Sequence, residues 1–176
     1  MVDQRGGERS NAQPPLTNNA MEVAVADAAI PTIVRSFKMR LLPSKAQHAV
    51  LRDILDAQRD LYNGALEERI DCYRKTGKGR SYFDQAKTLT ECRATILSME
   101  SIPANIQRAT LKRVDRAFSG FFRRIKSGTK AGFPRFKGRD YYKSFAFAEF
   151  SGIQFDGRRF RWRGLPGALR ARVHRP

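Results

Sequence analysis

From Thr32 to Leu42 apolar and polar residues alternate, Ile33, Phe37, Met39 and Leu41 sharing one parity with Arg35 and facing away from Ser36, Lys38 and Arg40. That period of two predicts a strand. Pro43 ends it, and Ser44 followed by Gln47 forms a capping box that opens a helix. Leu51, Ile54, Leu55, Gln58, Leu61, Tyr62, Ala65, Leu66, Ile70 and Tyr73 then recur at three- and four-residue spacing, which predicts a long amphipathic helix with a bend at Asn63-Gly64. Thr76-Gly77-Lys78-Gly79-Arg80 breaks the period, and Ser81 caps a second helix ending near Met99. Ser101-Ile102-Pro103 reads as cap and first turn of a third, whose stripe runs from Ile106 through Thr110, Val114, Phe118 and Phe121 to Ile125 before Gly128 stops it.

Period two returns after the helices. Ser144-Phe145-Ala146-Phe147-Ala148 alternates like a strand, and Ile153-Gln154-Phe155 and Arg159-Phe160-Arg161-Trp162 flank the turn-forming pair Asp156-Gly157. Phe155, Phe160 and Trp162 are expected on one side of that hairpin, with Arg159, Arg161 and Arg163 on the other. Leu169 to Val173 predicts one more strand. Isolated hairpins are marginal, so the Thr32–Leu42 strand is expected to pair with these later ones, making the helices an insertion in a β framework. Residues 1–31, with Gly6-Gly7, Pro14-Pro15 and Asn18-Asn19, lack an amphipathic period and read as a flexible tail, with Met21 an alternative translation start.

Charge sharpens this outline. The 176-residue chain carries 34 Lys+Arg against 17 Asp+Glu, a net +17, and residues 120–176 hold 15 of the cations with only 3 acids. So uneven a balance points to a polyanion, nucleic acid first. Cys72 and Cys92 stand twenty positions apart in helical stretches, unlike the clustered ligands of a zinc site, and two cysteines without a signal peptide point to a reducing, cytoplasmic compartment. No apolar run approaches the ~20 residues of a membrane span, so no membrane partner is expected.

The densest chemistry lies in Gly132-Phe133-Pro134-Arg135-Phe136-Lys137-Gly138-Arg139. Pro134 fixes its own φ and biases Phe133 towards extended backbone, which predicts an ordered loop. Arg135, Lys137 and Arg139 share a parity, with Phe133 and Phe136 left to anchor the loop or stack on something flat. Together with Lys143 they are the strongest phosphate-binding candidates.

Four separated stretches make the chain resemble the N-terminal part of the TnpB-type (OrfB transposase) proteins of bacterial insertion sequences, transposon-encoded RNA-guided nucleases related to type V CRISPR effectors. They are Phe37-Lys38-Met39-Arg40-Leu41-Leu42-Pro43, Leu61-Tyr62-Asn63-Gly64-Ala65-Leu66-Glu67-Glu68, Ala117-Phe118-Ser119-Gly120-Phe121-Phe122-Arg123-Arg124, and the Gly132–Arg139 stretch. The resemblance implies an α+β fold: a partial, wedge-like β-barrel interrupted by an inserted three-helix recognition domain, behind a disordered N-terminal tail. The corresponding divisions are 1–31 for the tail, 32–43 for the first wedge-like strand, 44–128 for the helical domain, and 129–176 for the basic loop and remaining strands. It implies guide RNA and target DNA as partners, in transposition and DNA recombination, in a bacterial cytoplasm beside the nucleoid. In the family, cleavage belongs to a RuvC-like region with Mg²⁺-binding acids and a zinc ribbon.

The chain stops before the first nuclease aspartate of that family would appear, so no catalytic residue, metal ligand or cofactor is expected in it; Mg and Zn are implied only for the nuclease half. Asp156 reads as a turn residue because no partner acids follow at useful spacing. The resulting site set is Lys38, Tyr62, Asn63, Arg123, Arg124, Arg135, Lys137, Arg139 and Lys143. For Tyr62 and Asn63, core packing weighs evenly with nucleic-acid contact. Phe118, Phe121 and Phe122 are read as core, two of them lying on the apolar stripe, and Arg123 and Arg124 also suit a helix C-terminus. The alternatives are one half of a split RNA-guided endonuclease, completed by a separately encoded polypeptide, and a basic RNA-associated structural protein.

Overall fold

The structure is a computed structural model that describes residues 36–172. The expected tail, and the Thr32–Arg35 part of the expected first strand, lie outside the described residues. All elements below belong to the unit Phe37–Pro176.

The described chain is mixed helix and sheet. A strand β1 (Arg40–Leu42) leads into helix α1 (Lys45–Thr76), followed by α2 (Tyr82–Thr95), a single turn α3 (Leu97–Glu100) and α4 (Ala104–Lys126). After a long loop with a 3-10 turn at Arg139–Tyr141 come β2 (Ile153–Phe155), β3 (Arg159–Trp162) and β4 (Leu169–Arg172). The strands form one open antiparallel sheet in the order β1-β4-β3-β2, so the first strand does reach across the helices to pair with the last.

Local chemistry sets the helix starts. Gln47 N–H donates to Ser44 Oγ (3.2 Å) while Gln47 Oε1 accepts from Ser44 N–H (3.0 Å), and Gln47 Nε2 also donates to the Pro166 carbonyl (2.9 Å). Ser81 and Asp84 repeat the reciprocal box at α2. Helix α1 runs unbroken through Asn63-Gly64, where a bend was expected.

The predicted second helix differs: it breaks at Ile96, which takes extended backbone and separates α2 from α3. Arg93 explains how that break is held without proline or glycine. Its Nη1 donates to the carbonyls of Met99 (2.6 Å) and Ile102 (2.7 Å) and to Gln107 Oε1, gathering the acceptors of the corner between α2 and α4. The third helix also begins later than Ser101 predicts, with Pro103 as its N-cap.

The core lies where α1, α2 and α4 meet. Tyr62, Ala65, Leu66, Leu89, Leu111, Val114 and Tyr142 are buried together, and a second cluster joins Ile54, Ile102 and Ile106. The expected strand at Ser144–Ala148 is absent: Phe145 and Phe147 pack against that second cluster instead, and Ala148 N–H donates to the Asn105 carbonyl (3.2 Å). Their alternation serves packing on helices, not a sheet ladder. Phe147 meets Trp162 of β3 edge-on, 5.5 Å between ring centroids, which ties this extended segment to the sheet's apolar face.

Candidate nucleic-acid interface

The loop from Gly132 to Arg139 is pinned at three points. Phe133 stands edge-on to Phe118 and Phe121 of α4, with centroids 5.7 and 5.1 Å apart. Asn63 of α1 then grips the backbone of Lys137: its Nδ2 donates to the Lys137 carbonyl (3.0 Å), and its Oδ1 accepts from Lys137 N–H (2.8 Å). Finally Arg139 pairs with Asp56, also on α1, at 2.9 Å. The Arg139 hydrogen bond, joined by the charges of Arg139 and Arg59, holds the Asp56 carboxyl below the usual carboxylate range.

These anchors separate the expected site residues. Arg135 is exposed, and among the described residues it has no ion-pair partner, as is also true of Arg123. Lys137 is half-buried and Arg139 is neutralised by Asp56, so the three cations of the loop are not equivalent. Arg124 donates to the Gly132 carbonyl at 3.3 Å, bracing the loop from α4. Lys143 is exposed and shares a polar cavity of about 360 Å³ with Arg52, Asp56 and Arg139. Lys38 is exposed on the segment entering β1.

Tyr62 does not reach a surface: it is 3% exposed, its ring 6.0 Å from that of Tyr142, and burial pushes its hydroxyl pKa up. It is a packing residue, as its place on the apolar stripe allows. The Asn63 amide is likewise occupied by Lys137, so its contribution is to hold the loop.

The sheet supplies cations that sequence reading only half found. On β3 and β4, Arg159, Arg161, Arg170 and Arg172 are exposed while Leu169 and Ala171 are buried, and Arg40 is exposed on β1. The register sets Arg40 opposite Arg172 and Arg159 opposite Arg170. Five arginines thus share one face of the sheet, two pairs of them directly opposed. The alternation of β3 located Arg159 and Arg161; the opposition became visible only with the strand register. The other face turns Phe160, Trp162 and Leu169 into an apolar groove with Leu51 and Leu55 of α1.

Cys72 and Cys92 are free and half-buried, and among the described residues no three His, Cys, Asp or Glu side chains converge. The Asp156 carboxylate accepts from the backbone N–H groups of Arg158 (3.0 Å) and Arg159 (2.7 Å), which makes it the organiser of its hairpin turn. Among the described residues no helix is long and apolar enough to cross a membrane.

The sheet presents opposed arginines on one face and the basic loop is clamped onto α1 and α4, a charge arrangement that suits a polyanion. Comparison with known proteins agrees. Residues 33–78, which contain β1 and α1, match the helix-turn-helix domain of OrfB/IS605 proteins. A Streptomyces pristinaespiralis protein is 31% identical over 131 residues, covering 72% of this chain and 30% of that protein. An Escherichia coli K12 protein, InsQ, is 27% identical over 125 residues, covering 70% of this chain and 29% of InsQ. Both are named "putative RNA-guided DNA endonuclease". The chain spans less than a third of the length of these relatives. It belongs to the TnpB-type (OrfB) family and corresponds to its N-terminal region.

Proposed function

We propose that this chain is the nucleic-acid-holding lobe of a TnpB-type RNA-guided system, binding guide RNA and target DNA and contributing no cleavage chemistry of its own. The observation that carries this reading is the opposition of Arg40 to Arg172 and of Arg159 to Arg170. Like charges directly across a sheet destabilise it, by about 0.2–1 kcal/mol per pair on the scale of cross-strand interactions. A polyanion laid on that face turns the same repulsion into attraction. Phosphate contacts of this kind position a nucleic acid without reading its bases, which suits a protein whose sequence choice is delegated to a guide. Arg135 and Arg123 add exposed cations on the clamped loop and near the end of α4.

The test uses the opposite signs of the two effects. In the double variant Arg40→Gln plus Arg170→Gln, thermal stability is expected to rise while affinity for RNA falls, with a shallower dependence on salt. Each phosphate contact removed lowers the log–log salt slope by about one unit, and Arg135→Ala is expected to do the same. Unchanged affinity and slope in both variants would reject the reading.

A further inference from the structure

Beyond the phosphate-binding face lies an aromatic cup that charge alone does not explain. Phe118, Phe121 and Phe122 of α4 meet Phe133 of the clamped loop and Tyr73 of α1 around a cavity of about 410 Å³. Phe118 forms the inner part, packed on the core with the Arg69 guanidinium 5.3 Å from its ring centroid. The outer rings stay open: Phe122 is 60% exposed, Tyr73 65% and Phe133 48%. Phe121 and Phe122 lie 5.2 Å apart at 59°, and Phe133 is nearly perpendicular to Phe121, so aromatic faces and edges are presented at several angles. Leaving three large rings in water is unfavourable unless something covers them.

Charge identifies what covers them. Arg69 and Arg80 line the cup, each already paired with a carboxylate, Asp115 at 3.0 Å and Glu68 at 2.8 Å, so the cations left for a phosphate are those of the segments around it. The chain segments that wall it are free of acid over long stretches: none occurs between Asp71 and Asp84, where Arg74, Lys75, Lys78 and Arg80 fall, and none between Asp115 and Asp140. An apolar protein segment would be indifferent to such walls, whereas a nucleotide needs both a flat surface for its base and cations for its phosphates. A base within a duplex is stacked on both sides and cannot enter a concave cup.

We infer that the cup formed by Tyr73, Phe121, Phe122 and Phe133 takes an unpaired nucleobase from a single-stranded stretch of nucleic acid. This rests on the nucleic-acid reading above and adds a site that discriminates single strand from duplex. Phe121 and Phe133 hold the geometry, and Phe122 and Tyr73 supply the accessible stacking surface.

The test measures binding of the whole chain to a short RNA and a short DNA, each single-stranded with one 2-aminopurine, and to duplexes of the same length. Phe122→Ala and Tyr73→Ala are exposed enough to leave the fold intact, which their melting temperatures check. Expected are quenched 2-aminopurine fluorescence with the native chain, and an affinity for single strands about 5- to 150-fold weaker in each alanine variant. Duplex affinity is expected to stay unchanged, and Phe122→Tyr to retain native single-strand binding. Equal losses on single strand and duplex, or no loss on either, would overturn the inference while leaving the phosphate-binding face standing. A native chain that binds no nucleic acid would bring down both readings.

Discussion

Asn63 and Lys137 stand 74 positions apart and exchange two hydrogen bonds, the side-chain amide of one closing on the backbone N–H and carbonyl of the other. A side chain here does what a neighbouring strand would do, giving an irregular loop both a donor and an acceptor. Asparagine alone among short residues has both groups on one planar head. Asn63→Ala removes both bonds and leaves the half-buried Lys137 backbone groups unpaired, at a cost of about 1–3 kcal/mol in holding the loop. Asn63→Asp keeps the acceptor but turns a carboxylate towards the Lys137 carbonyl oxygen, so it is not expected to rescue. Hydrogen exchange at the Lys137 amide reads this directly: protection is expected to fall in both variants while the core amides of α1 hold theirs.

The second anchor of the loop is electrostatic and therefore depends on pH. Asp56 has its folded-state pKa lowered, chiefly by the Arg139 hydrogen bond, relative to the ordinary value of about 3.9 in an unfolded chain. A depressed carboxylate contributes stability that is fully present above the unfolded value and is lost as pH falls through the folded one. The Arg139–Asp56 link is thus intact at neutral pH and released only in acid. Carbon-detected NMR titration should place the Asp56 carboxyl below its ordinary value, and Arg139→Gln should move it upwards. A carboxyl whose titration ignores that substitution would show that the pair is not formed in solution.

Tyr62 distinguishes packing from contact. The ring is buried against Tyr142 and sits in the cluster with Leu66 and Val114. Tyr62→Ala is expected to cost about 3–5 kcal/mol, as large-to-small changes of buried aromatics do, and Leu66→Ala about 2–5. Tyr62→Phe keeps the ring and is expected to leave nucleic-acid affinity at the native level. A selective loss of affinity in Tyr62→Phe, without a change in melting temperature, would return the hydroxyl to the interface.

What could be read from the chain was what local chemistry decides. The reciprocal box at Ser44, the cap at Ser81 and the Asp156-Gly157 hairpin all form as their residue types demand, each within four positions of sequence. The mixed helix-and-sheet class followed from the same periods. Features set by distant partners were not legible. Phe145 and Phe147 alternate as a strand would, yet Ile54, Ile102 and Ile106 offered them a better surface than a sheet edge. The break at Ile96 has no proline or glycine to announce it, because Arg93 reaches across it to the carbonyls of Met99 and Ile102, six and nine positions on. The neighbours of Phe122 predict a core position, but one step off the stripe of Phe118 and Phe121 turns it to solvent. The opposed arginines needed the register, and no single strand carries that information.

The connection between sheet and helices makes the last prediction. Gly164 follows β3 with φ at +90°, and a Cβ built there would lie 2.8 Å from the Ser101 carbonyl oxygen, at the corner that Arg93 holds together. Two penalties coincide, since an L-residue is strained at that φ and the obstacle is backbone that cannot swing aside. Gly157 has nearly the same φ, +89°, but nothing within 4 Å of the corresponding Cβ. Comparing the two separates conformational strain from collision. Gly157→Ala bears the strain alone and is expected to cost about 1–2 kcal/mol. Gly164→Ala bears both and should lower the melting temperature clearly further, with Arg163 and Glu100, now 3.5 Å apart, drawn out of reach as the corner opens. Equal losses at the two positions would mean that the Gly164 loop relaxes away from Ser101 without cost, and that the sheet is not held against the helical corner at this point.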